Sequence, residues 1–367
     1  MKWMGRLLIP VIILLALAGG DGVAYASFKR GIGARALGMG QAFTAVADDP
    51  SAAYWNPAGL GELDGYHVLT MHDDLSFDRS FDYVGLTLPD SLGGTLGVGW
   101  QRFTVSGIKQ YDSLRNYLGT FDDTEDMLTL SFGRRLTKWM LIGGNFKYFS
   151  QKLLSSYRGS GFGFDMGMMF NLHDQFDLAL VLQDVGGNLK WKNTANEPED
   201  EIPLGVRMGT AWRPRQNILF ALDLEKEENM SVRTNYGVEA WFRERFGVRA
   251  GSNNGDFNIG ASLVLGKWQL DYAYMSHELG EINRISARVR IDDVLVRESP
   301  RALKETGRES KPYVPALKPE VVEIPPAVEV AGTKPAPTPV ESMPAIGEKW
   351  VEYKPDTMPA DKRDKSS

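Results

Sequence analysis

Residues 268–275 read Trp268-Gln269-Leu270-Asp271-Tyr272-Ala273-Tyr274-Met275, and residues 284–291 read Arg284-Ile285-Ser286-Ala287-Arg288-Val289-Arg290-Ile291. In the second segment Ile285, Ala287, Val289 and Ile291 alternate with Arg284, Ser286, Arg288 and Arg290. In the first, Trp268, Leu270, Tyr272 and Tyr274 alternate with Gln269, Asp271, Ala273 and Met275. Successive side chains of a strand point to opposite faces, so one apolar and one polar face at a period of two marks a half-buried sheet. Segment 202–212 reads the same way. There Ile202, Leu204, Val206, Met208 and Trp212 oppose Gly205, Arg207 and Gly209, with Arg213 next in the polar row.

Working outward, such segments recur at 66–71, 81–88, 94–103, 126–134, 140–151, 160–171, 175–183, 202–212, 217–226, 232–242, 245–253, 256–265, 267–275 and 284–291, which makes fourteen strands. The gaps between them alternate in length. His72–Ser80, Thr104–Glu125, Lys152–Gly159 and Asp184–Glu201 are medium or long, whereas Pro89–Gly93, Arg135–Trp139, Leu172–Asp174 and Arg213–Gln216 are short. Long loops on one side and tight turns on the other are the signature of an outer-membrane barrel. Trp100, Trp139, Trp191, Trp212, Trp241 and Trp268 fall at or near strand ends, where interfacial girdles place tryptophan. The expected fold is all-β: a fourteen-stranded antiparallel transmembrane outer-membrane β-barrel over 63–296. An even strand number puts both ends of the barrel in the periplasm. Fourteen strands lie between a barrel that side chains fill and one that leaves an open channel, so the lumen needs an occupant.

Residues 31–60 supply one. The run Gly31-Ile32-Gly33-Ala34-Arg35-Ala36-Leu37-Gly38-Met39-Gly40 is small and glycine-rich, and Asp48-Asp49-Pro50 and Asn56-Pro57-Ala58-Gly59 follow it. The residue before a proline is pushed out of the helical region, so Asp49 and Asn56 start turns, with room for one helical turn over Ser51–Trp55. Glycine at this density suits a compact plug in which backbone approaches backbone. The order and spacing from Gly33 to Leu60 resemble the N-terminal segment of PorV/PorQ-type outer-membrane proteins, relatives of the FadL long-chain fatty acid transporters. The resemblance implies a hatch over 27–62 inside the barrel, with Gly38, Gly40, Asp48, Asp49, Pro50, Asn56, Pro57, Ala58 and Gly59 as its motif.

The ends read differently. Lys2 and Arg6, the apolar run Leu7–Ala18 and Ala24-Tyr25-Ala26 form the three regions of a signal peptide over 1–26. Twelve of the nineteen prolines lie beyond 297 among interspersed Lys and Glu, which is the composition of a disordered, periplasmic Pro-rich tail over 297–367. The resemblance does not account for this tail. Gly347–Tyr353 within it could serve as a short docking peptide.

Several chemistries are excluded. The chain has no cysteine, so thiol catalysis, disulfides and lipoprotein anchoring are out. Its net charge of -6 argues against nucleic acid. His67, His72, His173 and His277 lack metal-ligand spacing, and no nucleophile elbow, phosphate loop or dinucleotide-binding glycine pattern is present, so no catalysis, cofactor or metal is expected. Asp122, Asp123, Glu125 and Asp126 form an acidic cluster in the long third gap, which reads as a solvated loop rather than as a site for divalent cations at the lipopolysaccharide surface.

Two functions remain open. The FadL side of the resemblance implies passive transport of a hydrophobic or amphipathic small molecule. Lys147, Arg207, Arg284, Arg288 and Arg290 on the inward face could then meet a carboxylate, or instead form ion pairs with lumen acids such as Asp223, Glu239 and Asp271. The PorV side implies a non-transport barrel that shuttles or scaffolds exported proteins, as in type IX secretion, with the tail binding a periplasmic or secreted protein.

Overall fold

A computed structural model describes residues 28–154, 157–193, 197–276 and 280–291. The expected signal peptide, the tail and His277 lie outside the described residues. Sixteen strands occur among them: β1 (Tyr66–Leu75), β2 (Arg79–Ser91), β3 (Gly94–Tyr111), β4 (Tyr117–Thr137), β5 (Met140–Leu153), β6 (Tyr157–His173), β7 (Phe176–Val185), β8 (Asn188–Lys192), β9 (Glu199–Glu201), β10 (Gly205–Arg215), β11 (Ile218–Glu227), β12 (Arg233–Phe242), β13 (Phe246–Asn253), β14 (Asp256–Leu265), β15 (Trp268–Met275) and β16 (Ile282–Ile291). Fourteen form a closed antiparallel barrel. β16 returns to pair with β1, with Val68 opposite Val289, and β7 pairs directly with β10, with Leu180 opposite Met208. The short β8–β9 hairpin hangs from β6, with Trp191 opposite Gly159. It stands inside the long Asp184–Glu201 gap, where its few mixed residues carry no alternation to read.

The wall is inside out relative to a soluble protein. Ile285 is 59% exposed and its neighbour Arg284 is 1% exposed. Leu270 and Tyr272 face out, while Gln269, Asp271 and Ala273 are buried. A polar interior under an apolar outer belt is what a hydrocarbon surround selects. Val206, assigned to the outer row, is only 2% exposed, flanked across the strands by Leu182 and Lys226.

One end of the barrel carries only tight turns, of two or three residues: 92–93, 138–139, 174–175, 216–217, 243–245 and 266–267. The other end is more varied than the sequence implies, since Asn254-Gly255 there is also a two-residue turn, with φ 49° and 104°, the mirror-type geometry Asn-Gly favours. The acidic run at 122–126 is not a loop. β3 continues to Tyr111 and β4 starts at Tyr117, so Asp122–Asp126 lies within β4. Asp122 accepts from the Gly107 amide, and Asp126 accepts from Arg102 and the Trp100 ring N–H. Ladder bonds sustain a strand pair where side-chain alternation has lapsed. Trp139, Trp212 and Trp268 are exposed at the turn end, a partial girdle. Trp241 instead points inward under Arg249 (5.9 Å), and Trp191 sits on β8 and donates to Asp200.

Candidate functional site

Residues 28–63 fill the lumen. They contain two short helical turns, α1 (Ala34–Gly38) and α2 (Ala52–Trp55), and a 3-10 turn over Pro57–Glu62. The hatch threads the barrel from its loop end to its turn end. Phe28 packs on Phe149 (5.0 Å) with Leu189 and Ile202 near the loops, and the 3-10 turn lies against Arg134 near the tight turns. The first described residue is therefore at the loop end, not at the turn end where the parity of the strands places the ends of the barrel itself.

A segment with so little regular structure cannot satisfy its own backbone, and buried amides and carbonyls need partners. The wall supplies them. Ala34 N donates to Ser286 Oγ (3.1 Å), and Asn258 Nδ2 donates to Leu37 O (2.9 Å). Phe43 N, Thr44 N and Thr44 Oγ1 all donate to Asp223 Oδ2, at 3.0, 2.9 and 2.6 Å. On the opposite wall Asn145 Nδ2 donates to Ala53 O (2.7 Å) and Gln183 Nε2 to Tyr54 O (3.2 Å). Within the hatch, Asp49 caps its turn by accepting from Ser51 N and Oγ, with Pro50 between them. Asn56 holds the second turn: its Oδ1 accepts from Ala58 N (3.1 Å), and its Nδ2 donates to Thr44 O (3.0 Å) and Met168 O (3.3 Å). Pro57 then begins the 3-10 turn.

The fit is close enough that glycine sets it. Gly40 has φ 62°, and a Cβ there would lie 2.4 Å from Ser252 N. A Cβ on Gly59 would meet Ala47 O at 2.0 Å, so Gly59 makes room within the hatch rather than for the wall. The wall makes its own room. A Cβ on Gly133, Gly143 or Gly167 would lie 2.2–2.3 Å from Pro57 or Asn56 atoms. These wall glycines belong to the site, and the sequence shows them only as small residues in the inward row.

Charge ties the hatch across itself and to the wall. Arg35 grips Glu239 at both oxygens (Nε–Oε2 2.8 Å, Nη2–Oε1 2.7 Å) and pairs with Asp48, with Asp49 at 3.5 Å. Burial alone would lower the Arg35 guanidinium, but Asp48 and Glu239 hold it above its ordinary range. The five inward cations expected to meet a ligand do not converge. Lys147 sits between Asp184 (2.8 Å) and Asp165 (2.9 Å), and Arg207 pairs with Glu225 (2.8 Å) while stacking over Trp55 (4.9 Å). Arg284 binds Asp73 through both oxygens and also donates to Gly31 O (2.9 Å). Arg288 donates to Gln269, and Arg290 lies beside Gly65 near the turn end. Lys147, Arg207 and Arg284 are thus ion-paired, with other acids than expected: Asp223 holds hatch amides, while Glu239 and Asp271 face Arg249.

Above the hatch, at the loop end, lies a cup of about 300 Å³ whose lining includes Lys29, Arg30, Arg79, Arg233 and Arg284 against Asp256 and Glu281. Lys29 is engaged with Glu227 and Pro203 O, and Arg233 with Glu225 and Glu227. Arg30 differs. It rests over the Phe103 ring (5.4 Å), and its buried Nε has no hydrogen-bond partner. Burial and the neighbouring Arg284 lower it to about 10, which leaves it cationic at neutral pH. Nothing in the pattern around Arg30 singles it out in the sequence.

No family model matches the chain, and no curated protein is similar to it in sequence. Solved structures do match. The CymD monoaromatic hydrocarbon channel shares 14% identity at a TM-score of 0.51, over 71% of this chain and 98% of that one. The toluene transporter TodX of Pseudomonas putida shares 12% identity at a TM-score of 0.51, over 74% and 98%. At such identities the likeness concerns the fold alone, the closed antiparallel barrel that this chain shares with these two channels.

Proposed function

We propose that this chain lies in the outer membrane with its loop end outward and passively admits small hydrophobic or amphipathic molecules. The observation that carries the reading is a closed fourteen-stranded wall around a plug that shares no strand pairing with it. The hatch is held by side-chain hydrogen bonds, ion pairs and close contact alone, so it can shift while the wall stays intact. The two proteins of like fold are a monoaromatic hydrocarbon channel and a toluene transporter, which supports uptake of hydrophobic solutes in general.

The apolar part of a solute would be gathered at the loop end and its polar end would meet the cup. Arg30, with Arg284 beneath it, is positioned for a carboxylate, because Arg30 has no acid of its own. Lys147, Arg207 and Arg288 serve as ties between strands. Liposome uptake tests this. Reconstituted full-length barrel should admit toluene or a long-chain carboxylate faster than empty liposomes, and Arg30→Ala should slow the carboxylate more than toluene. Uptake of both solutes at the empty-liposome rate would refute the transport reading.

A further inference from the structure

The hatch meets both sides of its wall through glycines and polar groups. On β4–β6 the contact is Gly133, Gly143, Leu141 and Met169, with Asn145 bonded to Ala53 O and Met168 O to Asn56. On β10–β12 the contact is a longer ladder of polar groups beside Gly209 and Gly237. From the loop end downward, Glu227 gives way to Glu225 between Arg207 and Arg233, then to Asp223 opposite Asn235, and then to Glu239 with hatch Arg35. Asp48, whose side chain is 30% exposed, and Arg213 complete the row toward the turn end.

The middle of that ladder is unsatisfied. Asn235 is 0% exposed, and neither its Nδ2 nor its Oδ1 has a partner. Arg207 has no partner at Nε or Nη1, and Asp223 has none at Oδ1. These groups are neighbours: Asp223 stands opposite Gly209 on one side and Asn235 on the other, and Arg207 opposite Glu225 one step up. Together they offer three donors and two acceptors with no protein group to meet them. Leaving such valences dry is costly, and a polar site with several partners is where buried water resides. The cup reaches the same row, since Asn253 lines it and stands opposite Asn235 on β13.

We propose that the seam between hatch residues 39–48 and β10–β12 is a water-filled track leading down from the cup, and that the hatch parts from the wall on this side. The route rests on the transport reading, whereas the hydration is a property of the resting molecule and is tested separately. The chain has no cysteine, so single-cysteine variants report cleanly. Ser286 is the control, at 2% exposure with its hydroxyl accepting from Ala34 N. Folded, reconstituted Asn235→Cys should react with a cationic, water-soluble methanethiosulfonate, and Ser286→Cys should stay unmodified. Equal protection of both, or equal labelling, overturns the track. A second readout does not need the cysteine variant to fold. Liposomes bearing the native barrel should show higher osmotic water permeability than empty ones, and Asn235→Leu should abolish the gain. No gain for the native barrel, or an undiminished gain in Asn235→Leu, also overturns it. Both readouts stand if solute uptake fails, so the two readings fall independently.

Discussion

Asn56 uses one amide for three contacts, to Ala58 N, Thr44 O and Met168 O, and so joins two turns of the hatch to the wall. Replacing it with alanine leaves those buried groups without partners, at a cost of roughly 1–3 kcal/mol. Asn56→Ala should raise planar-bilayer conductance while the heat-modifiable migration of the barrel is unchanged; an unaltered conductance would show that the amide does not hold the hatch. On the outside, Tyr272→Arg places a charge on the lipid face and should cost about 2–4 kcal/mol of folding stability near mid-membrane, read by urea titration in liposomes. Val206, in the same outer row but 2% exposed, would not probe that face. At this scale the sequence was half legible. Asn56-Pro57 announces a turn, because asparagine and proline act on their immediate neighbours. The reach of Asn56 to Met168, the acids chosen by Lys147 and Arg207, and the unpaired state of Arg30 depend on residues far away in the chain, and no local pattern records them.

Strands with one apolar face are readable because their neighbours repeat the same pattern, and fourteen strands are legible in the sequence, several of them by clean alternation. β8 and β9 are not, being too short to show a period. The upper parts of β3 and β4 lose their alternation, since no lipid or lumen sorts side chains there. The hatch is an element of another kind. Its sequence betrays a plug through glycine and turns, but its course from loop end to turn end is set by wall partners such as Ser286, Asp223 and Asn145. Because it pairs with no strand, deleting residues 31–60 should leave a folded barrel. Planar-bilayer recording should then find the deletion leakier than the nearly closed native protein. A deletion variant that conducts no more than the native chain would mean that the segment does not block the lumen.

For the whole molecule, the inverted polarity of the wall and the composition of residues 297–367 lead to one expectation. Truncation after 296 should leave membrane fractionation and heat-modifiable migration intact, because a segment with so many prolines and few large apolar residues buries too little to direct barrel folding. Recovery of the truncated protein as soluble aggregate would show otherwise. One last feature looks outward. Arg79 of β2 and Leu153 of β5 are the final wall partners of β3 and β4, at Val105 and Asp123. Beyond them β3 and β4 pair only with each other among the described residues, up to Tyr111 opposite Tyr117, whose rings lie 5.8 Å apart. Six residues of unsupported ladder rise about 20 Å. With the loop end outward, as proposed, such a mast is the part of the molecule that antibodies, phages or proteases would reach first on an intact cell. An epitope inserted between Asp112 and Asn116 should be stained on unbroken cells, and staining only after permeabilisation would turn the barrel upside down.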